Sequence, residues 1–401
     1  MTLLRLVWKS LRQHALSTMV TAFSIALATG LWITVWVTKD EAQSTFTSVT
    51  AGFDAVLGAR GSALQLVLNA VFHLESSPGN LPFGDVEDIR KDARVKFAVP
   101  IAVGDNFQGY RLVGTLPDFF DHAQDSRGRA FRVKPGGRMF DPLRREAVLG
   151  SFVARRLGMK IGDSFHPYHG LLFNENDRHA ETYLVVGVLE PSNTPADRVL
   201  WIPLSGIQSM GGHDPKTAND VSAVLVKLNT ALAGHQMEQM YNKQGNRLTF
   251  AWPIGRIVAQ LFDKVAWFEK VLGLVAYLVA LVAAGSVLAS IYNSMNERRR
   301  EIAILRALGA RRRTIFSAVV LEALMITLIG VAVGGVLYLA LMQGVSGIVR
   351  AQTGVVLNPW QAAPVMLWAP AAMLALGALA GVVPAVKAYR TDVAANLSPT
   401  S

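Results

Sequence analysis

The 401-residue sequence contains no cysteine, so no disulfide can brace it, and whatever folds outside a membrane must be held by core packing. Charge is scarce: acidic and basic residues make up 17% of the chain, whereas 51% is hydrophobic and mean hydropathy is positive, on the membrane side of the soluble range. No Gly-x-x-x-x-Gly-Lys-Ser/Thr loop occurs, which removes the usual cradle for the phosphates of ATP. A recognisable nucleophile turn is also missing. Nothing fixes His73, Glu75 and Ser76, before the Ser-Ser-Pro-Gly-Asn-Leu-Pro loop, as a catalytic set, so an enzyme is not expected.

What is present is apolar sequence in long runs. Leu16 to Val37, Ala266 to Tyr292, Ile315 to Met342 and Ala363 to Val386 can each cross about 30 Å of hydrocarbon at about 1.5 Å per residue. The first run follows a basic start and contains Ala26, Ala28 and Gly30, as a cleaved secretory signal would. It is too long for a typical signal core, and Trp32 and Trp36 near its outer end suit an interfacial belt.

Orientation follows from the basic residues that flank the runs. Residues 1–15, 293–313 and 387–401 together carry twelve Lys and Arg against three acids, a net +9 of the chain's +10. These segments are therefore expected on the cytoplasmic side, with both termini there. Topology accounts for the pI of 9.9, and nucleic-acid binding is not needed. The expected layout is a cytoplasmic segment at 1–15, spans at 16–38, 266–292, 314–342 and 363–386, an external domain at 39–265, a cytoplasmic loop at 293–313, an external loop at 343–362 and a cytoplasmic tail at 387–401.

Within 39–265 the composition reads as a mixed α/β fold with its own core. Ala93 to Ile101, Tyr110 to Gly114, Glu146 to Leu149, Thr182 to Leu189 and Ala223 to Leu228 are predicted strands from their Val, Ile and Tyr content. Phe83 to Lys91, after Pro82, and Ser151 to Leu157 are predicted short helices. Two subdomains are expected, dividing near residue 120. His166 and His169, in His-Pro-Tyr-His, with His179 ten residues on, offer a loose zinc pattern; a solvated loop with ordinary histidines is the expectation, and no metal is assigned.

The stretch from Asn293 to Leu341 joins two apolar runs through a basic amphipathic segment. Ile302, Ile304, Leu305 and Leu308 recur at helical spacing, while Glu297, Arg298, Arg299, Arg300, Glu301 and Arg306 supply the polar surface. Gly309 is placed to end the helix before Arg311, Arg312 and Arg313 mark a membrane boundary. Such a helix fits a protein groove or anionic lipid equally well on spacing alone. Gly330 and Gly334, and again Gly377 and Gly381, are spaced four apart, which suits close helix packing within the chain or against a second chain. Glu322, about two turns inside the third run, is costly there unless paired; a structural link to Arg311–Arg313 is expected. Glu269 and Lys270 read as interfacial anchors.

These residues resemble a permease subunit of the MacB and FtsX type of ABC transporter, the group that includes the lipoprotein-releasing permeases. The resemblance rests on Glu301-Ile-Ala-Ile-Leu-Arg-Ala-Leu-Gly-Ala310, the basic cluster after it, Glu322 and the Gly-rich run Gly330 to Gly335. Glu146-Ala-Val-Leu-Gly150, the run Val153 to Asp163 and Leu184-Val-Val-Gly-Val-Leu189 extend it into the external domain. It implies an α-helical membrane protein with four transmembrane helices and a large α/β periplasmic domain of MacB-like type, in the bacterial inner membrane. It further implies that ATP and Mg are used by a separate cytoplasmic ABC ATPase dimer, with no cofactor in this chain. The 296–308 segment would be the coupling helix that engages that ATPase, its arginines pairing with acidic groups. A second permease chain, identical or a paralogue, is implied, and a periplasmic adaptor or substrate-binding protein and membrane lipid are further expected partners. The implied function is to move or extract a substrate on the outer side of the membrane. The alternative resembles FtsX itself, a transmitter of motion that activates an external enzyme without transport.

Overall fold

The computed structural model describes residues 3–211, 219–297 and 299–389. By internal contacts the chain divides into two compact units: Met1–Glu41, Val265–Val345 and Asn358–Ser401 form one, Ala42–Lys264 and Ser346–Leu357 the other.

The first unit is helical. It draws on α1 (Leu3–Gln13), α2 (Ala15–Ser48), and four further helices from the second half of the chain. Among the described residues, four helices are long and apolar enough to cross a membrane: Ala15–Ser48, Ile254–Met295, Arg312–Thr353 and Val365–Lys387. Small residues let them approach, since lipid offers no hydrophobic drive for helix pairing. Ala26, Ala28, Ala276, Ala283, Ala323 and Ala369 are fully buried. Trp32 is buried too, edge-on to Tyr277 at 5.0 Å and to Trp368 at 5.1 Å. The indole is used as core between helices.

The second unit is built around one sheet. Its strands are β1 (Ala55–Ala59), β2 (Leu81–Pro82), β3 (Val95–Phe107), β4 (Tyr110–Thr115), β5 (Glu146–Leu149), β6 (Ser164–Phe165), β7 (Tyr168–His169), β8 (Tyr183–Val188), β9 (Leu200–Pro203), β10 (Asp220–Val221), β11 (Ala223–Leu228) and β12 (Leu248–Ala251). Ten of them follow the order β12-β1-β11-β3-β4-β9-β5-β8-β6, with β7 added on β3, while β2 and β10 pair separately. Pairing is antiparallel except at β4–β9 and β5–β8.

Two groups of strands, β12-β1-β11-β3-β4 and β9-β5-β8-β6, meet at the parallel β4–β9 ladder. The division expected near residue 120 is therefore no cut in sequence: the first group takes strands from both ends of the domain, and one sheet crosses the boundary.

Alternation along each strand buries both faces. Ala55 and Leu57 face one apolar layer with Val224 and Val226, whereas Val56 faces the other with Ala223 and Leu225. Helices α4 (Phe83–Lys91), α6 (Ser151–Leu157), α7 (Leu204–Gln208) and α8 (Ala231–Gln239) bring Val86, Val153, Ile207 and Met237 to the first layer. The second layer takes Leu66 and Val67 from α3 (Ala63–Ala70), Phe119 and Phe120 from α5 (Asp118–His122), and Ile254, Ile257 and Val258 from the start of α9 (Ile254–Glu297). The remaining helices are α10 (Arg299–Ala307), α11 (Arg312–Thr353) and α12 (Val365–Tyr389).

Candidate functional site

The basic amphipathic segment folds as α10. Its end is a Schellman turn: Ala310 N donates to Leu305 O and Gly309 N to Arg306 O, each at 3.0 Å, with Gly309 at φ +97°. That left-handed position is why glycine is needed there. The apolar residues do not share one face as their spacing suggested. Ile302 and Ala303 are buried in the helical unit, while Ile304, Leu305 and Leu308 are exposed, Leu308 at 79%. At about 3.6 residues per turn, 304, 305 and 308 cluster within a third of the circumference and 302 and 303 point away from it. The helix is thus seated by one side and offers leucine and isoleucine from the other. Arg306 is half-buried. Arg298 lies outside the described residues, as do the side chains of Glu297, Arg299, Arg300 and Glu301.

Glu322, on α11, is buried and accepts a hydrogen bond from the Ser10 hydroxyl of α1. Arg311, Arg312 and Arg313 are exposed, and Arg312 lies over the Tyr389 ring at 5.7 Å. The hydroxyl reaches Glu322 because α1 carries Ser10 on its buried stripe with Val7 and Leu11. Glu269 pairs with Lys39 at 2.6 Å.

Both glycine pairs meet helices of the same chain. A Cβ on Gly330 would stand 2.6 Å from Ile25 Cβ and 2.8 Å from Ala22 O, and one on Gly334 2.9 Å from Thr29 Cβ. Gly377 faces Thr327 and Gly381 faces Ala323 in the same manner. Gly30, whose Cβ would stand 2.9 Å from Gly334 O, completes the α2–α11 contact; α2 has no second glycine four residues away to flag it.

In the sheet unit, Glu146 is nearly buried and receives a fork from Arg138, at 2.6 Å and 2.5 Å, plus Asp141 N at 2.9 Å. The Arg138 hydrogen bonds hold its carboxyl below the usual range. The segment 346–357 joins this unit through Asn193, whose Oδ1 accepts from Val356 N at 2.6 Å and whose Nδ2 donates to Val356 O at 3.4 Å.

The histidines separate. His166 sits beside Thr182 Oγ1 at 3.4 Å. His169 and His179 converge instead on Asp105 Oδ1, with His169 Nδ1 at 3.5 Å and His179 Nε2 at 3.2 Å. Asp105 is 64 residues upstream of His169, so no sequence spacing could have joined it to the set.

The chain has relatives over nearly its whole length. The family model described as MacB-like periplasmic core domain matches residues 18–240, and that described as FtsX-like permease C-terminal matches residues 273–393. The macrolide export ATP-binding/permease protein MacB of Brucella abortus (strain 2308) is 26% identical over 408 residues, covering 97% of this chain and 59% of that protein. The pyoverdine export ATP-binding/permease protein PvdT of Pseudomonas syringae pv. tomato is 28% identical over 267 residues, 63% of this chain and 37% of that one. The chain therefore spans about three-fifths of the longer-matching relative or less. Among solved structures, the periplasmic region of MacB from Actinobacillus actinomycetemcomitans aligns over 54% of this chain and 94% of its own at 13% identity and a TM-score of 0.35. The extracellular domain of the ABC-type transporter YknZ from Gram-positive bacteria aligns over 49% and 98% at 17% identity and a TM-score of 0.32.

Proposed function

The chain belongs to the family of MacB-like and FtsX-like permeases, and on that premise we propose that it is a membrane subunit driven by a separate cytoplasmic ABC ATPase dimer. ATP and Mg bind in that partner. The observation that carries the reading is α10, a capped helix between two apolar helices that is seated by Ile302 and Ala303 and presents Ile304, Leu305 and Leu308 outward. Exposed leucines flanked by arginines suit a protein groove with an acidic rim.

Motion set up at α10 passes to the outside along helices. α2, α9 and α11 each run without a break from residues of the helical unit into residues of the sheet unit. Two such permease chains, identical or paralogous, work together in the inner membrane, and their sheet domains extract or move a bulky or lipophilic substrate on its outer side. The relatives named for macrolide and pyoverdine export make amphipathic small molecules the first cargo to test. A periplasmic adaptor or substrate-binding protein receives or delivers it. The size of the sheet unit favours this over a purely regulatory role.

Replacing Leu305 and Leu308 together with Glu should cut recovery of the ATPase with the tagged full chain by more than tenfold, the equivalent of about 1.4 kcal/mol, with membrane insertion unchanged. Undiminished co-purification would sink the coupling role of α10. Orientation has its own test, which the lack of native cysteine makes clean. A cysteine replacing exposed Ser126 should react with an impermeant thiol reagent in spheroplasts and one replacing Ser294 should not; the reverse pattern would invert the topology.

A further inference from the structure

We infer that Asp105, His169 and His179 form a binding site for a zinc-type divalent cation in the sheet unit, independent of the coupling role of α10. The three ligand atoms lie within 4.8 Å of one another. Zinc with bonds of about 2.0–2.1 Å needs tetrahedral ligand-to-ligand edges of about 3.3–3.5 Å. The two edges at Asp105 Oδ1 measure 3.2 Å and 3.5 Å. Two imidazole nitrogens and one carboxylate oxygen suit a borderline cation and are a poor set for the all-oxygen sites that calcium and magnesium prefer.

Backbone pairing, and not chance proximity of loops, brings the three together. β3 carries an irregularity between Val103 and Asn106 in its pairing with β4, and across that break Asp105 pairs with His169 and Asn106 with Tyr168 on β7. Bulges of this kind re-aim side chains. His179 is fixed to β7 in turn, by an antiparallel bridge between Tyr168 and Arg178 and by His179 N donating to Pro167 O at 2.9 Å. Asn106 then ties down the turn after β7, its Nδ2 donating to Gly170 O at 2.9 Å and to Leu172 O at 3.2 Å. The ligands are thus held by strand register before any ion arrives, which lowers the ordering cost of binding.

Burial grades across the site. Asp105 and His179 are buried, while the His169 side chain is 54% exposed. The ion therefore has a route from solvent past His169. Bound metal would clasp residues 164–179 to β3.

The test uses the full chain in detergent, purified on a tag without histidine, stripped with chelator and titrated with Zn2+ alone, with Co2+ as the spectroscopic probe. One Zn2+ should bind per chain, and Co2+ should give the visible bands of a four-coordinate site. His169→Ala and His179→Ala should each weaken Zn2+ binding by at least about 100-fold, whereas His166→Ala should leave it unchanged. His169 is exposed enough that its removal cannot unfold the sheet, so a null result for that variant is decisive. Failure of the wild-type chain to take up Zn2+, or uptake by His169→Ala equal to wild type, would overturn the site and leave an ordinary hydrogen-bonded cluster.

Discussion

Acidification should destabilise the sheet unit between pH 6.5 and 5, and His73→Asn should remove most of that dependence. His73 follows α3 in a left-handed conformation, φ 54°, edge-on to Trp201 at 5.6 Å. Its Nδ1 is sealed from solvent. Burial, aided by the positive charge of Arg111, pushes its pKa down from 6.5 to about 3. As pH falls below 6.5 the unfolded chain takes up a proton that the folded chain refuses, so stability present above that value is lost on the way down to about 3. The full shift corresponds to about 5 kcal/mol at about 1.4 kcal/mol per unit. Part of the residue's surface still meets water, so about half of that is the expected loss. Glu146 and Asp92, whose carboxyls arginine hydrogen bonds hold low, add to acid lability only at lower pH, and Asp197, raised by burial, acts in the opposite sense. The window from pH 6.5 to 5 therefore separates His73 from these carboxyls. Asn tolerates the left-handed backbone and does not titrate. Pulse proteolysis of the full chain across that window would measure the slope; equal slopes in wild type and His73→Asn would refute the assignment.

The residues that follow His73 are held through their main chain. Glu75 O accepts from Asn69 Nδ2 at 2.7 Å and Ser76 O from Gln65 Nε2 at 3.3 Å, so the segment is stitched back to α3 through backbone carbonyls. Legibility elsewhere followed the strength of local signals. Phe83–Lys91 and Ser151–Leu157 were readable to the residue because Pro82 and Gly150 mark their starts. Glu146–Leu149 and Ala223–Leu228 were equally plain, being apolar apart from Glu146 and Lys227. β1 and β9 were not: Gly58 in one and Pro203 in the other weaken the strand signal. Pairings across the fold were beyond reach for a different reason. Asp105 joins the histidines through a strand irregularity, Ser10 meets Glu322 across 312 residues, and the seated and exposed sides of α10 depend on neighbours that a helical wheel does not contain.

The Glu146-to-Gly150 motif admits the sharpest steric prediction: Gly150→Ala should cost the sheet unit about 3 kcal/mol or more, although it adds a single methyl group. Gly150 starts α6 and its N donates to Val199 O at 2.8 Å, which brings its Cα against the turn at 195–198. A Cβ there would collide with the carbonyl oxygens of Ala196 and Asp197. Neither oxygen can retreat cheaply. Ala196 O accepts from Trp201 Nε1 at 3.3 Å, and the Asp197 carboxylate holds Ser192 N at 3.0 Å and Asn193 N at 3.1 Å. Gly84 on α4 is the matched control, since a Cβ added there meets nothing within 4 Å; Gly84→Ala should leave stability unchanged or raise it by up to about 1 kcal/mol. Denaturant titration of both variants, read by proteolytic resistance of the full chain, separates the two causes a glycine can have. A Gly150→Ala protein within about 0.5 kcal/mol of wild type would mean that the turn yields. A large loss confined to Gly150 would make the glycine of this motif a steric requirement for docking α6 on the 195–198 turn, with no need of a role in binding.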